Sequence, residues 1–296
     1  MTAVWRSQYP AISKDKYSHL LVSQPSFDKA QDYCHNEYPH AALQMSIRAG
    51  YCFEQCSKLL NEGEYDAVVS LGSGFSLLTL AIADMVATDE TRSESLTLVD
   101  CDMDPIMTAR SSRIASTPCI QEKLNQASIT FQNEALDLEQ VFTSGQLLTD
   151  FLPDNVTKPI FVLEGLVYFL SLECQNWLFE QIRDGSQFDQ SALVMDYWPE
   201  DAAQISQLFR DKVLPFFAET TTVESVKELM SETRLNHITQ PSSYFEQHTL
   251  ASAEKQLTQN ISEYSPVFSE ISENDYIPLR LVSCVYKAYM AQYNSY

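Results

Sequence analysis

Residues 65–104 read YDAVVSLGSGFSLLTLAIADMVATDETRSESLTLVDCDMD. An apolar run at Ala67–Leu71 leads into a Gly-x-Gly turn at Gly72 and Gly74, and an apolar, helix-like run follows at Leu77–Val86. A second apolar run then ends in acidic residues, so the order predicts strand, glycine turn, helix, strand and acid. In a right-handed βαβ unit the glycines let a ligand approach the backbone, and the acid can hold a ribose. We therefore expect a nucleoside-containing cofactor to bind at this unit.

Short apolar strands continue to alternate with helical patterns after this unit. The predicted strands are Ala67–Leu71, Ser95–Val99, Ser128–Gln132, Pro159–Leu163 and Ala192–Asp196, and the predicted helices between them are Leu77–Val86, Pro105–Ile114, Leu138–Thr143 and Ser171–Ile182. Such alternation is typical of an α/β fold with a parallel sheet that helices cover on both faces.

The sequence on either side of this core is organised differently. Residues 1–62 are predicted to form an N-terminal helical segment, and residues 63–198 form the core. Residues 199–275 are helical and polar, too long for a loop, and we expect an ordered cap there. Its predicted helices are Gln204–Phe217, Val223–Glu232 and Ser243–Leu257, and within residues 276–296 one closing strand is expected at Ile277–Tyr289.

Composition narrows the possible partners. The 296 residues carry 40 acidic and 19 basic side chains, a net charge of −21, without a basic run. Nucleic acid and anionic membrane surfaces are disfavoured because both require a basic face, so we expect a small-molecule partner. The seven scattered cysteines and the lack of a signal peptide favour the cytoplasm. The five histidines offer no metal-ligand spacing, so we expect no metal.

Three acids alternate after the second predicted strand, at Asp100, Asp102 and Asp104. If the strand continues, they share one face, where three like charges repel unless a ligand or solvent is near. One interpretation is that one of them accepts two hydrogen bonds from ribose hydroxyls. The alternative is a solvated acidic loop.

Two further acids follow predicted strands. Asp137 precedes Leu138 after the third strand, where a carboxylate can accept the exocyclic amine of adenine while the apolar side chain covers the ring. An Asp that caps a helix is an equally good explanation. Glu164 follows the fourth strand, where strand ends in open α/β sheets contact ligands, and a carboxylate leaving an apolar strand requires a partner.

The glycine turn by itself does not identify the cofactor. Leu77 occupies the third glycine position of the dinucleotide fingerprint, and a lone Gly-x-Gly also closes ordinary strand–helix connections. An NAD-dependent dehydrogenase therefore stays an alternative, against which the missing glycine counts.

Taken together, these motifs resemble the leucine carboxyl methyltransferase-type S-adenosylmethionine-dependent methyltransferases, which include protein phosphatase methylating enzymes and many bacterial O-methyltransferases. The resemblance covers residues 40–200 and rests on Arg48, Leu71-Gly72-Ser73-Gly74, Asp102 (or Asp100), Asp137-Leu138 and Glu164-Gly165-Leu166-Val167-Tyr168-Phe169-Leu170. The sequence departs from the family where Ser76 and Leu77 occupy the usual Asp-Thr positions, and where Lys29 lies out of register with an expected lysine.

The resemblance implies a Rossmann-like, seven-stranded, mostly parallel class I methyltransferase sheet with N-terminal helices and a helical cap after the fifth strand. It also implies S-adenosylmethionine as cofactor. Its contacts would be Arg48 to the carboxylate, the turn Gly72, Ser73 and Gly74 under the amino-acid tail, Asp102 or Asp100 to the ribose, Asp137 and Leu138 to the adenine, and Glu164 near the amino group or the sulfonium.

The expected reaction is methyl transfer to oxygen, most simply to a carboxylate of a small acidic or polyketide-like metabolite. A hydroxyl acceptor would need a general base, and His237, His248 or an acid near Tyr197 could serve. Tyr168, Tyr197 and His237 are the catalytic candidates, although core packing explains either tyrosine as well. A relative that binds the cofactor without turnover is the non-enzymatic alternative.

Overall fold

The computed structural model describes residues 2–36, 41–62, 65–87, 95–125, 129–183 and 188–197, and the backbone of residues 251–256 and 280–287. The N-terminal helices are α1 (Thr2–Gln8), α2 (Pro10–Ser13), α3 (Gln24–Asn36) and α4 (Ala41–Glu62), with a 3₁₀ turn at Ser18–Leu21. The described part of the first 22 residues thus forms two short helices and this turn. The predicted helical segment is present in the described part of residues 1–62.

Strands and helices alternate through the core as predicted. They are β1 (Ala67–Leu71), α5 (Leu78–Ala87), β2 (Leu96–Asp102), α6 (Asp104–Ala115), α7 (Pro118–Leu124), β3 (Ile129–Ala135), α8 (Leu138–Ser144), β4 (Pro159–Leu163), α9 (Leu172–Arg183) and β5 (Gln190–Tyr197), with 3₁₀ turns at Leu148–Phe151 and Val167–Phe169. The expected α/β fold with a parallel sheet is confirmed by these elements. The short helix α7 was not predicted from the sequence.

The five strands pair in the order β3-β2-β1-β4-β5, all in parallel. Every residue of β1 and β4 is buried, as continuous apolar strands in a doubly covered sheet should be. The chain moves outward from β1 to β3 and then returns to place β4 on the other side of β1. The carboxyl ends of β1 and β4 therefore flank a topological switch point, where open α/β sheets bind ligands.

Two more strands, β6 (Ala251–Gln256) and β7 (Arg280–Lys287), extend the sheet beyond β5. Both pair in antiparallel fashion, β7 with β5 and β6 with β7. The predicted closing strand Ile277–Tyr289 contains β7. The predicted helix Ser243–Leu257 is wrong at β6. Its residues have good local helix propensity, but pairing with β7 outweighs that propensity and gives a strand. The other two predicted cap helices lie outside the described residues.

The two faces of the sheet pack into separate apolar cores. Alternate strand residues such as Val68, Leu98 and Ile160 join the helices α4 and α5 on one face. Val69 and Phe161 pack against α8 and α9 on the other. Because neighbouring residues of a strand point to opposite faces, these cores fix the register of the strands and the position of their carboxyl ends. In the described part of the chain no helix is long and apolar enough to cross a bilayer.

Candidate functional site at the carboxyl ends of the strands

The turn after β1 depends on two glycines in the left-handed region, with φ of +65° at Gly72 and +54° at Gly74. A Cβ on Gly72 would lie 2.7 Å from Cδ1 of Leu166, so this turn packs tightly against the segment that follows β4. A Cβ on Gly74 would meet no atom within 4 Å. The Ser73 N–H donates to the Cys101 carbonyl at 2.9 Å, which ties the turn to β2. The Cα side of Gly74 therefore leaves room for a ligand, whereas Leu166 fills that side of Gly72.

Asp100 and Asp102 have different environments although both lie in β2. The carboxylate of Asp100 is buried, accepts a hydrogen bond from Thr79 Oγ1 at 2.8 Å and forms an ion pair with Arg110. Burial raises the pKa of Asp100, and the Arg110 charge opposes that rise. Asp102 is partly exposed and accepts hydrogen bonds from the N–H groups of Gly74 at 2.7 Å and Met103 at 2.8 Å. Of the two carboxylates, Asp102 is the one beside the open glycine.

Arg110, on α6, is a fully buried residue of this site that the sequence interpretation missed. Its Nη1 donates to Ser73 Oγ at 2.9 Å and to the Gly74 carbonyl at 3.1 Å. Because Arg110 also pairs with Asp100, it links the glycine turn to β2. A signal was present, since Arg110 lies between Ile106 and Ile114 at four-residue spacing on the buried face of α6.

Arg48 and Glu164 meet between α4 and the end of β4, in the predicted site. Arg48 Nε donates to Glu164 Oε1 at 3.1 Å, and Nη1 donates to Tyr168 Oη at 3.3 Å. Gly165, at φ +71°, lies so close that a Cβ there would be 3.0 Å from Arg48 Nη1. Burial would raise the pKa of Glu164, but the Arg6 and Arg48 guanidinium groups outweigh it and lower that pKa. Glu164 is therefore held ionised.

Arg6, on α1, is the second guanidinium on Glu164 and was also missed. Arg6 Nη1 and Nη2 both lie 3.1 Å from Glu164 carboxylate oxygens, and Nη1 donates to Ser76 Oγ. Asp15 lies 3.8 Å from Arg6 Nε, so α1 is anchored to the core by buried charges. The sequence pattern could not reveal this contact, because 158 residues separate Arg6 from Glu164.

Asp196, near the end of β5, completes the charged cluster. Its Oδ1 accepts a 2.6 Å hydrogen bond from the Gly165 N–H, whereas Oδ2 lies 3.6 Å from Arg48 Nη1 and has no hydrogen-bond partner among the described residues. Burial raises the pKa of Asp196 to about 6, against the opposing charge of Arg48. A fully buried carboxylate oxygen without a hydrogen bond is uncommon and points to a missing donor.

Asp137 caps helix α8. Its Oδ1 accepts hydrogen bonds from the N–H groups of Glu139 at 3.0 Å and Gln140 at 3.2 Å, as the capping interpretation predicts. Within the described residues no hydrogen bond is made to Oδ2, so the cap leaves one oxygen for another donor. Leu138 is buried against the core on the α8 and α9 face.

The tyrosine candidates are both buried. Tyr168 accepts the hydrogen bond from Arg48, and burial raises the pKa of its hydroxyl well above the ordinary value. Tyr197 ends β5, 5 % exposed. His237 lies outside the described residues, as do Trp198 and His248.

The fold and the charged strand ends define a Rossmann-like cofactor-binding protein of the methyltransferase type, and comparisons with known proteins narrow this class. The family model described as leucine carboxyl methyltransferase matches residues 1–183. The chain therefore belongs to the leucine carboxyl methyltransferase family, whose members use S-adenosylmethionine as the methyl donor. The resemblance inferred from the motifs is confirmed. A search of curated proteins gives no match.

Three solved structures are similar to this chain, and the first of them supports the fold. A DUF574-family protein from Streptomyces avermitilis superposes with a TM-score of 0.55 at 14 % identity, over 97 % of each chain. The plantazolicin methyltransferase BpumL, solved with a triazolic substrate analogue and SAH, has a TM-score of 0.43 at 10 % identity over 97 % of each chain. The mitomycin 7-O-methyltransferase MmcR has a TM-score of 0.40 at 9 % identity, over 87 % of this chain and 60 % of its own.

Proposed function

We propose that this protein is an S-adenosylmethionine-dependent O-methyltransferase that methylates a carboxylate of a small, acidic or polyketide-like metabolite. One observation carries the proposal. Arg48, Glu164, Asp102 and the open glycine at Gly74 all lie at the carboxyl ends of β1, β2 and β4, at the switch point of the sheet. Family membership supports methyl transfer, and this geometry supports the position of the cofactor.

The residues fit the cofactor at both of its ends. Arg48 and Arg6 share the single carboxylate of Glu164 and are the guanidinium groups available for the carboxylate of the amino-acid tail. The unpartnered Oδ2 of Asp196 is the acceptor available for the α-ammonium. Asp102, partly exposed beside Gly74, is proposed to bind the ribose hydroxyls. Asp100 is not proposed for this role, because its carboxylate is buried in an ion pair with Arg110.

The adenine end is proposed to lie at the start of α8. Asp137 caps the helix through Oδ1 and keeps Oδ2 for the exocyclic amine. Leu138 follows at the same strand end and would cover the ring. The capping and the cofactor interpretations of Asp137 are therefore compatible, because one carboxylate has enough acceptor sites for both.

Charge balance supports a cationic ligand. Two arginines and three carboxylates form the buried cluster of Arg6, Arg48, Asp15, Glu164 and Asp196, with one excess negative charge if all ionise. S-adenosylmethionine carries one net positive charge, from a carboxylate, an ammonium and a sulfonium. A buried cluster of opposite sign should stabilise it, because buried charges require compensation.

The chain's contribution to the reaction is positioning. When bound, the cofactor supplies a methyl group on a sulfonium that is open to in-line displacement. The protein aligns the two substrates and excludes water, effects that together can lower a barrier by several kcal/mol. A carboxylate acceptor is already ionised at neutral pH and needs no base. Tyr168 fits this chemistry, because the raised pKa of its hydroxyl keeps it a protonated partner of Arg48 and not a base.

The acceptor is proposed to bind beyond the end of β5, between Tyr197 and the residues 199–275 predicted as a cap. The proposal includes the seven-stranded class I arrangement with this cap, and a cytoplasmic location. Tyr197 would form one wall, since it ends the strand that carries Asp196.

The test is turnover with S-adenosylmethionine and a panel of aromatic and aliphatic carboxylic acids, each paired with its alcohol analogue. SAH formation reports transfer, and mass spectrometry identifies the product. A methyl ester releases methanol in mild base, whereas a methyl ether does not. Base-stable products would overturn the carboxylate assignment but keep O-methylation. Cofactor binding without SAH formation from any acid, alcohol or cell extract would favour a non-catalytic binding protein.

A further inference from the structure

A cavity of about 610 Å³ is lined by residues other than the charged groups at the strand ends. The loop after α2 contributes Lys14, Lys16 and Tyr17, while α5 contributes Asp84 and α7 contributes Lys123. Asp84 is six residues beyond the start of α5 at Leu78, about 9 Å along the helix axis from the glycine-turn end. None of the described residues that line the cavity is one of those assigned to the cofactor.

The interior of the cavity is apolar. Phe53 from α4 and Met85, with two alanines of α5, form its walls. Both side chains are partly buried and pack on the apolar core beneath them. An occupant would therefore remove apolar surface from water, which favours a ligand with a hydrophobic body.

The polar groups at its border leave a local positive charge. Asp84 is engaged by Lys123 Nζ and by the Tyr17 hydroxyl, which donates at 2.5 Å, and Lys123 also lies 5.5 Å from the centre of the Tyr17 ring. Lys14 donates to the Ala11 carbonyl, which does not neutralise it. No carboxylate of the described residues forms an ion pair with Lys14 or Lys16.

Among the described lining residues, three lysines against one aspartate give two excess positive charges, in a chain whose net charge is −21. A concentration of uncompensated lysines beside an apolar wall is complementary to a ligand with an anionic head and a hydrophobic body.

We propose that the cavity formed by Lys14, Lys16, Tyr17, Phe53, Met85 and Lys123 binds a small organic anion, with its charged group at Lys14 and Lys16 and its aromatic or acyl body against Phe53 and Met85. This ligand is distinct from the methyl donor and binds independently of it. The proposal does not depend on the proposed function.

The test uses the fluorescent aromatic sulfonate 8-anilinonaphthalene-1-sulfonate as the probe. The full chain is titrated at low salt, with and without saturating SAH. The charge variant is Lys14→Gln/Lys16→Gln, which removes both charges and keeps a flexible polar side chain at each position. The matched control is Lys29→Gln/Lys58→Gln, which makes the same change in net charge at two exposed lysines that do not line the cavity.

We expect saturable binding of one probe per chain, unaffected by SAH and displaced by octanoate. The charge variant should bind the probe about fivefold more weakly, because two partly screened ion pairs are lost. The control variant should stay within about twofold of the unmodified chain. Absence of saturable binding, equal weakening in both variants, or unchanged affinity in the charge variant would each overturn the proposal.

Discussion

Substituting Gly165 with alanine should displace Arg48 without removing any charge. Gly165 has φ +71°, and its new Cβ would lie 3.0 Å from Arg48 Nη1, 3.1 Å from Nη2 and 3.2 Å from Cζ. These distances are shorter than ordinary contacts, and so the guanidinium must shift by a few tenths of an ångström. Gly145→Ala is the matched control, because Gly145 has the same φ of +71° and a Cβ there meets no atom within 4 Å.

Both alanine variants carry the same backbone strain, so the stability of Gly145→Ala is the reference for that of Gly165→Ala. Placing alanine in the left-handed region costs about 1–2 kcal/mol, and both variants should lose that much stability. Gly165→Ala should lower the free energy of unfolding by about 1 kcal/mol more than Gly145→Ala. Removing one partner of a buried ion pair costs roughly 3–5 kcal/mol, and the loss here is smaller because the 3.1 Å contact of Arg48 with Glu164 is strained but kept.

Binding of S-adenosylmethionine should separate the two variants more clearly. If Arg48 holds the cofactor carboxylate, Gly165→Ala should weaken binding about tenfold, equivalent to about 1.4 kcal/mol, while Gly145→Ala should bind normally. Calorimetric titration measures the affinity, and urea unfolding measures the stability. Normal cofactor affinity in folded Gly165→Ala, or an equal loss in Gly145→Ala, would refute the role given to Arg48.

Three further predictions address other parts of the site. Asp102→Ala should lower cofactor affinity tenfold or more by calorimetry, since hydrogen bonds to a charged group contribute about 1.5–3 kcal/mol; Asp100→Ala should instead lower the melting temperature, because it leaves Arg110 buried without its counter-charge. Burial raises the pKa of Asp196 to about 6, compared with about 3.9 in the unfolded chain. Above pH 6 the ionised carboxylate therefore destabilises the folded state by about 3 kcal/mol. Asp196→Asn should therefore gain up to about that much stability relative to the unmodified chain as the pH rises from 4 to 7.5, and parallel stability profiles from urea unfolding would contradict this. Asp137→Asn should keep the α8 cap but weaken cofactor binding, whereas Asp137→Ala should also lose about 1 kcal/mol of stability; unchanged affinity in both would remove Asp137 from the adenine site.

Local patterns predicted much of the core. The bounds of β1 and β4 match the predicted strands, because runs of five buried, mainly apolar residues between turn signals have few alternatives in an alternating α/β sequence. The glycine turn was also predictable, because glycine adopts positive φ without strain and so marks such turns in a sequence. Both of its glycines have positive φ. At β6 the local pattern failed, since strand pairing with a distant segment decided the conformation.

The site was only partly predictable for a similar reason. Arg48 and Glu164 could be found from the motifs that carry the family resemblance, but their ion pair joins a helix to a strand end and required the structure. Arg6 was missed because its partner Glu164 lies 158 residues away in sequence, which no local period encodes. Arg110 had a local signal on the buried face of α6, but its contact with Ser73, 37 residues away, did not. The choice between Asp100 and Asp102 likewise required knowing that Arg110 reaches only the first as an ion pair.

The central claim is that the carboxyl ends of β1, β2 and β4 bind S-adenosylmethionine through Arg48 and its neighbours. Calorimetric titration with S-adenosylmethionine and SAH, beside NAD as a competing ligand, tests it directly. We predict micromolar binding of both adenosyl ligands at one site per chain, lost in Arg48→Ala, and no heat with NAD. Folded protein that binds neither adenosyl ligand would contradict the account, and binding of NAD instead would favour a dehydrogenase.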